Sequence, residues 1–188
     1  MKRMPFLLAL VLALVLALGA CAGGGGAEEE AAPRTFEGHG VTFDYPAEWE
    51  RIDDTTTSAS AGNQIWNESY GLDATNLVAV SLYTIGAKIT PKNINGFEGE
   101  ITAAIKGVVE QAGGSLEGEP AALTVDGLPT LDYRATAITT VDDATVDSRI
   151  VLMFDGADEY FLNCQYSEQE RRAVEDACDL VLDTFSVE

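Results

Sequence analysis

Residues 128–154 form the stretch that decides the fold, because they read as two strands joined by a short turn. The first strand is Leu128-Pro-Thr-Leu-Asp-Tyr-Arg-Ala-Thr-Ala-Ile-Thr-Thr140, and the second is Ala144-Thr-Val-Asp-Ser-Arg-Ile-Val-Leu-Met-Phe154. Apolar and polar side chains alternate in both, which is the period of a strand with one buried face. Asp142-Asp143 lies between them and supplies turn residues. The stretch therefore predicts an antiparallel hairpin.

The expected register of this hairpin pairs apolar side chains across it. A tight turn at Asp142-Asp143 places Tyr133 opposite Leu152 and Ala135 opposite Ile150. The same alternation puts Ala137 on the buried face beside Ala135.

Strand patterns continue on both sides of the hairpin. Extended segments are predicted at 41–45, 49–52, 64–70, 77–85, 116–125 and 160–166. The segment 77–85 is apolar on both faces, as expected of a central strand. Asp126-Gly127 and Asp155-Gly156 are predicted turns, because Gly tolerates positive φ.

Two segments change to a helical period. The apolar spacing of residues 93–111 predicts an amphipathic helix, with Asn93 or Asn95 as its N-cap. Its apolar stripe consists of Ile94, Phe97, Ile101, Ile105 and Val108. Residues 168–183 predict a C-terminal helix. Because the strands are consecutive and the helices few, we expect an α+β fold with helices packed on an antiparallel sheet.

Several of these segments resemble a known domain family. Val41-Thr-Phe-Asp-Tyr-Pro-Ala-Glu-Trp49 is similar to the opening of PsbP-like domains, as are Val125-Asp-Gly-Leu-Pro129 before a hairpin and the ending Asp183-Thr-Phe-Ser186. Lipid-anchored actinobacterial proteins of the Lpq type are similar too. The resemblance covers residues 36–185 and implies an α/β/α sandwich. It carries over no catalytic residues, because members of this fold mostly bind or scaffold.

The N-terminus resembles a bacterial lipoprotein signal. Lys2 and Arg3 precede the apolar run 6–18, which is too short to span a membrane stably. Leu18-Gly19-Ala20 then leads to Cys21, the position at which such proteins receive a diacylglyceryl group. Two acyl chains give stable anchoring. We therefore expect lipidation at Cys21 and a location at the cell membrane, on its extracytoplasmic face.

Two other interpretations of the N-terminus stay open. An ordinary secretory signal cleaved near Ala20 or Ala22 would leave Cys21 incidental, and an uncleaved anchor would extend the apolar run to Ala22. The glycines that follow Cys21 favour lipidation. The expected organisation is a signal peptide at 1–20, the lipidated Cys and a disordered tether at 21–34, and one globular domain at 35–188.

The charge of the chain excludes one class of partner. The formal net charge is −20, and removal of the signal would take away two further bases. Nucleic-acid binding needs clustered Lys and Arg, so we expect no nucleic-acid partner. The membrane, reached through the lipid, and a protein or small molecule of the envelope are the expected partners.

Cys164 and Cys178 are the two cysteines that remain if Cys21 carries lipid. Cys164 lies on the last strand and Cys178 on the buried stripe of the last helix. In an exported protein this favours a disulfide over two buried thiols.

Catalytic and metal sites are not indicated. His39, the single histidine, lies between Gly38 and Gly40 and predicts a surface turn rather than a catalytic base. The acidic clusters around 142–147 and 155–159 fit turns better than a cation site. We expect no cofactor, no metal and no enzymatic activity.

The predicted function is therefore a non-catalytic binding or scaffolding module of the cell envelope. A small-molecule carrier, with a pocket between sheet and helix, is the first alternative. A hydrolase that uses only carboxylates is the second.

Overall fold

The computed structural model describes residues 31–53, 63–140 and 143–188. A small antiparallel sheet contains the start and the end of this part of the chain. It consists of β1 (Arg34–Gly38), β2 (Val41–Tyr45) and β10 (Ser186–Val187), in the order β1-β2-β10. The predicted strand 41–45 is confirmed as its middle strand.

A larger antiparallel sheet forms the centre of the domain. Its strands are β3 (Glu50–Arg51), β4 (Gln64–Gly71), β5 (Leu77–Ile89), β6 (Ser115–Leu116), β7 (Ala121–Val125), β8 (Leu128–Thr139) and β9 (Thr145–Tyr166). Their order is β3-β4-β5-β9-β8-β6, and β7 also pairs with β8. β5 lies inside the sheet, as its two apolar faces predict. The single strand expected at 116–125 is instead two, because Gly118 takes φ +68° and breaks the extended run.

β9 folds back on itself. A straight strand of its 22 residues would extend about 70 Å. Yet Ser148 Oγ donates a hydrogen bond of 2.5 Å to Asn163 Oδ1, fifteen residues further along the same strand. The reversal falls at Asp155-Gly156, where Gly156 has φ +66°. β9 therefore has a first arm, 145–154, and a second arm, 157–166, and the predicted turn joins them.

The predicted register of the β8–β9 hairpin is wrong by two residues. Tyr133 pairs with Ile150 rather than Leu152, and Ala135 pairs with Ser148 rather than Ile150. A shift of two residues keeps the same side chains on the same face, so Leu131, Tyr133 and Ala135 still point into the core.

The turn and a β-bulge each account for one residue of this shift. Thr140 N donates to Ala144 O at 2.8 Å, so the connection is one residue longer than a two-residue turn. The β-bulge lies further along, where two residues of β8 oppose one residue of β9. In this bulge Ala137 takes φ +57°, and its N–H donates a hydrogen bond to the Asp147 carboxylate. As a result Ala137 is exposed, and Ile138 packs on the core in its place. The expectation for Ala137 is wrong for this reason.

One face of the larger sheet is covered by the C-terminal helix and the small sheet. Helix α2 (Arg171–Thr184) packs Val174, Cys178 and Val181 against this core. α2 begins three residues later than predicted, because 168–170 form a turn in which Glu170 N donates to Ser167 O. Trp49, Trp66 and Tyr70 are buried in the same core, as expected of aromatic residues in a small domain.

Helix α1 (Ile94–Gln111) lies on the opposite face of the larger sheet. Val109 is buried there and Val108 is 61% exposed, so the predicted stripe is wrong at its last position. Asn93 is the N-cap residue, but its side chain accepts a hydrogen bond from Thr90 N and donates to Lys88 O instead of capping the helix. The result is an α/β/α sandwich with two separate cores.

Candidate functional site

Cys164 and Cys178 are joined by a disulfide bond, with Cα atoms 6.0 Å apart. Cys164 lies on the second arm of β9 and Cys178 on α2, and both are fully buried. The bond links the C-terminal helix to the centre of the larger sheet. It stabilises the fold and is not accessible to a substrate. Cys21 lies outside the described residues.

An ion-pair network fixes the same helix to the sheet. Arg149 of β9 binds Asp132 at 2.8 Å and also contacts Asp179 of α2. Burial opposes the charge of Arg149, but the hydrogen bonds to these two carboxylates raise its pKa overall. A second pair joins Arg134 to Glu175. These charged groups neutralise one another and are structural.

The other face of the sheet carries a carboxyl group of a different kind. Glu159 lies on the second arm of β9, opposite Tyr83 of β5, and Phe161 lies two residues further along. Burial raises the pKa of Glu159 to about 7. Glu159 therefore keeps its proton to a higher pH than an ordinary carboxyl does. A protonated carboxyl can both donate and accept a hydrogen bond.

The surroundings of Glu159 combine apolar walls with one hydroxyl pair. Tyr133 Oη lies 3.1 Å from Thr102 Oγ1, which joins β8 to α1. Burial raises the pKa of Tyr133, and the nearby charges of Glu98 and Glu159 add to this effect. The apolar side chains that pack on this core while staying partly exposed are Ile85, Ala87, Ile94, Phe97, Ile101, Ile105, Leu116, Ile138 and Phe161. We call the region around Glu159, Tyr133, Ile85 and Phe161 the Glu159 site.

An open depression of about 440 Å³ lies between the start of β4 and residues 84–86 of β5. It is lined by Asn63, Gln64, Ile65, Thr84, Ile85 and Gly86. Ile85 lines this depression and also packs on the core of the α1 face, so the depression lies beside that core.

The sequence did not single out Glu159. From the sequence, Glu159 is one of the acids at 155–159, which are predicted to form a turn. Asp155 does lie at the turn, but Glu159 does not. The signal was present in the alternation of the last strand: Tyr160 and Leu162 face one core, so Glu159 and Phe161 had to face the other.

His39 lies in the β1–β2 turn, as expected. It is exposed, has φ +56°, and its ring stacks on Trp66 with centroids 5.1 Å apart. No group of three or more His, Cys, Asp or Glu side chains able to hold a metal occurs within the described residues. Asp147, from the first acidic cluster, binds Arg171 at 2.8 Å.

Comparisons with known proteins define the class of the fold. No family model matches the chain, and no curated protein matches it. Among solved structures, the cyanobacterial PsbP protein CyanoP from Synechocystis is similar to it, with 21% sequence identity and a TM-score of 0.58. That match covers 92% of this chain and 99% of CyanoP.

A second solved structure is LpqN from Mycobacterium tuberculosis, described as involved in cell envelope biogenesis. It is 15% identical, with a TM-score of 0.49, and the match covers 83% of this chain and 89% of LpqN. The chain is thus an α+β sandwich by its own geometry. By its similarity to CyanoP it has the PsbP-like fold, and the expectation from the sequence is confirmed.

Proposed function

We propose that this protein is a lipoprotein anchored through Cys21 on the extracytoplasmic face of the cell membrane, where its domain acts as a non-catalytic binding or scaffolding module. The observation that carries the proposal is the Cys164–Cys178 disulfide. Disulfides persist in oxidising compartments outside the cytoplasm. The bond therefore supports export of the domain, in agreement with the signal that precedes Cys21.

The pattern of charged groups supports binding rather than catalysis. On the α2 side, Arg149, Arg134 and Arg171 are each held by carboxylates. On the α1 side, burial desolvates the Glu159 carboxyl, whose charge acts on Tyr133 of the second apolar core. No helix in the described residues is long and apolar enough to cross a membrane. No specific observation favours the carboxylate-only hydrolase.

Metabolic labelling of the full chain tests the anchor. Cells are fed a fatty acid that carries an alkyne, and the purified protein is examined for the label. We expect the wild type to be labelled and to enter the detergent phase on phase partition, and Cys21→Ser to lose both properties. The matched control is Cys164→Ser with Cys178→Ser, which keeps Cys21 and should keep the label. An unlabelled wild type, or a labelled Cys21→Ser, would contradict the proposal.

Crosslinking in intact cells tests the binding role. The labelled wild type should yield the same crosslinked partner in repeated preparations. If well-folded, lipidated protein never recovers a specific partner, the binding role fails while the anchor stands.

A second function, a carrier of small apolar molecules, is favoured by the Glu159 site. Its protonated carboxyl and apolar walls suit a ligand with one polar end. The test is fluorescence titration of the full chain in detergent-free buffer with a dansylated fatty acid. Binding should be tighter at about pH 5.5 than at about pH 8.5, because the carboxyl loses its proton between them. In Glu159→Gln this difference should disappear, and in Asp155→Asn it should remain. Equal binding by wild type at both pH values would eliminate the carrier.

A further inference from the structure

Strand β7 stands at an edge of the larger sheet. It pairs with β8 on one side, and no described strand pairs with its other side. Its sequence is Ala-Ala-Leu-Thr-Val, without a charged residue, and its first four residues are exposed. Leu123 is 41% exposed, one of a few large apolar side chains of the described chain that reach solvent. Uncharged, exposed edge strands are templates for pairing with another chain.

The hairpin register shows which backbone groups face outward. β7 and β8 are joined by the two-residue turn Asp126-Gly127, with φ +47° and +78°. The pair next to such a turn, Val125 and Leu128, exchanges hydrogen bonds, and the following pair does not. Thr124 therefore directs its N–H and C=O away from β8.

Two further observations agree with this pattern. Thr124 pairs with Pro129, which has no N–H to offer. Ala122 lies two residues before Thr124 and has the same orientation. The free edge thus presents two N–H and two C=O groups at Ala122 and Thr124. A partner strand can pair with all four.

The charged residues around this edge indicate the charge of the partner that can bind. Glu117 and Glu119 precede β7 and are exposed. Asp126 follows it and is also exposed, and its carboxylate accepts hydrogen bonds from Ser186 Oγ and Val187 N of β10. The nearby bases of the sheet, Arg134 and Arg149, are held by carboxylates on α2. An incoming strand therefore meets an uncharged, apolar centre with negative charge at both ends.

We propose that β7 is a docking edge for an extended, cationic segment of a partner protein, which adds as a strand to the larger sheet. The segment carries alternating small apolar or Thr side chains in its centre and Lys or Arg at its ends. A second copy of this chain does not fit, because antiparallel pairing of two β7 strands would bring Glu119 and Asp126 of both copies together. This inference rests on the proposed binding function and names the class of its partner.

The test uses synthetic peptides and the full chain in detergent micelles. The probe is Lys-Thr-Val-Thr-Val-Thr-Lys with blocked ends, and the comparison peptide has Glu at both ends. Isothermal titration should give the Lys peptide at least about tenfold tighter binding than the Glu peptide. The difference should shrink as salt rises from about 0.05 M to about 0.5 M, because exposed charges are screened.

Variants of β7 separate strand addition from simple charge attraction. Thr124→Pro removes an outward N–H and leaves the β8 ladder intact, since edge strands tolerate proline at such positions. It should weaken binding of the Lys peptide at least about tenfold, whereas Thr124→Val, which keeps the N–H, should stay within about twofold. Glu117→Lys combined with Glu119→Lys should reverse the preference between the peptides. Thermal melts confirm that each variant is folded.

Three results would overturn the inference: wild-type chain that binds neither peptide, undiminished binding by folded Thr124→Pro, and a dimer in sedimentation that Thr124→Pro dissolves. If Thr124→Pro does not fold, the double charge reversal decides, and an unchanged preference counts against β7. Fatty-acid labelling of Cys21 is measured on the same preparations. Labelled protein that binds no peptide refutes the docking edge alone, whereas unlabelled protein refutes the anchor whatever the peptides do.

Discussion

Replacement of Glu159 by Gln should remove a pH-dependent loss of stability. The carboxyl has a pKa of about 7 in the folded chain and an ordinary value of 4.5. Because the folded state holds the proton more tightly than the unfolded state, the free energy of unfolding falls as pH rises from 4.5 towards 7 and reaches a plateau above it. The difference between the two pKa values corresponds to at most about 3 kcal/mol. Gln resembles the protonated carboxyl and does not ionise.

Urea denaturation of both proteins at a series of pH values measures this effect. Near pH 4 the two free energies of unfolding should agree, because the carboxyl is protonated in the folded and unfolded states alike. Near pH 8.5 the variant should be more stable by up to about 3 kcal/mol, which in a domain of this size is a rise in Tm of roughly 6–12 °C.

The comparison isolates Glu159 from the other carboxyls that titrate in the same range. Tyr133 of β8 feels the charges of both Glu98 and Glu159, and Asp158 precedes Glu159 on its own strand. These groups are present in both proteins. The control variant is Asp155→Asn, which removes an exposed carboxyl near the same reversal of β9. It should follow the wild type at every pH. Parallel curves for wild type and Glu159→Gln would show that the carboxyl is not desolvated, and the reasoning on the Glu159 site would fail.

Three further predictions concern the framework. Replacing Cys164 and Cys178 together by Ala removes a bond between residues 14 positions apart and should lower the free energy of unfolding by about 3 kcal/mol. A reductant should destabilise the wild type and leave this variant unchanged. A wild type whose stability does not change with the reductant would contradict the disulfide. Arg149→Met leaves a buried carboxylate without its partner and should cost about 3–5 kcal/mol in urea denaturation; a loss below about 1 kcal/mol would show that the pair is not buried. Gly71→Ala places a Cβ against the backbone oxygen of Asn76 and should lower Tm, whereas Gly107→Ala, in open space on α1, should raise it by the helix propensity of Ala. Equal melting temperatures would refute the close approach at residue 71.

The hairpins were predictable because residues close together in the sequence determine where each turn falls. Asp126-Gly127 and Asp155-Gly156 mark turns by the conformation they permit, and alternation then fixes which side chains share a face. The register was not predictable in the same way. Ala137 leaves the buried face because of a bulge whose N–H binds Asp147, and neither the alternation nor the turn residues carry that information.

The Glu159 site escaped prediction for a related reason. Whether a carboxyl at the end of a turn is solvated depends on what the rest of the chain places over it. In this case the neighbours are Tyr83 of β5 and Tyr133 of β8, which are far from Glu159 in sequence. The pairing of Cys164 with Cys178 could be predicted from the sequence, because the two cysteines lie on consecutive elements and are the two that remain once Cys21 is assigned to the lipid.

The two faces of the larger sheet differ in how firmly they are fixed, and this difference separates stability from function. α2 is held by a disulfide, by carboxylate–guanidinium pairs and by four buried side chains. α1 buries Val109, and its other apolar residues that pack on the same core stay partly exposed. A desolvated carboxyl reduces the stability of the folded chain above its pKa. A cationic group that pairs with the ionised carboxylate would offset part of this cost, whereas a ligand that needs the protonated carboxyl would bind less tightly above the pKa, so binding at the α1 face should depend on pH.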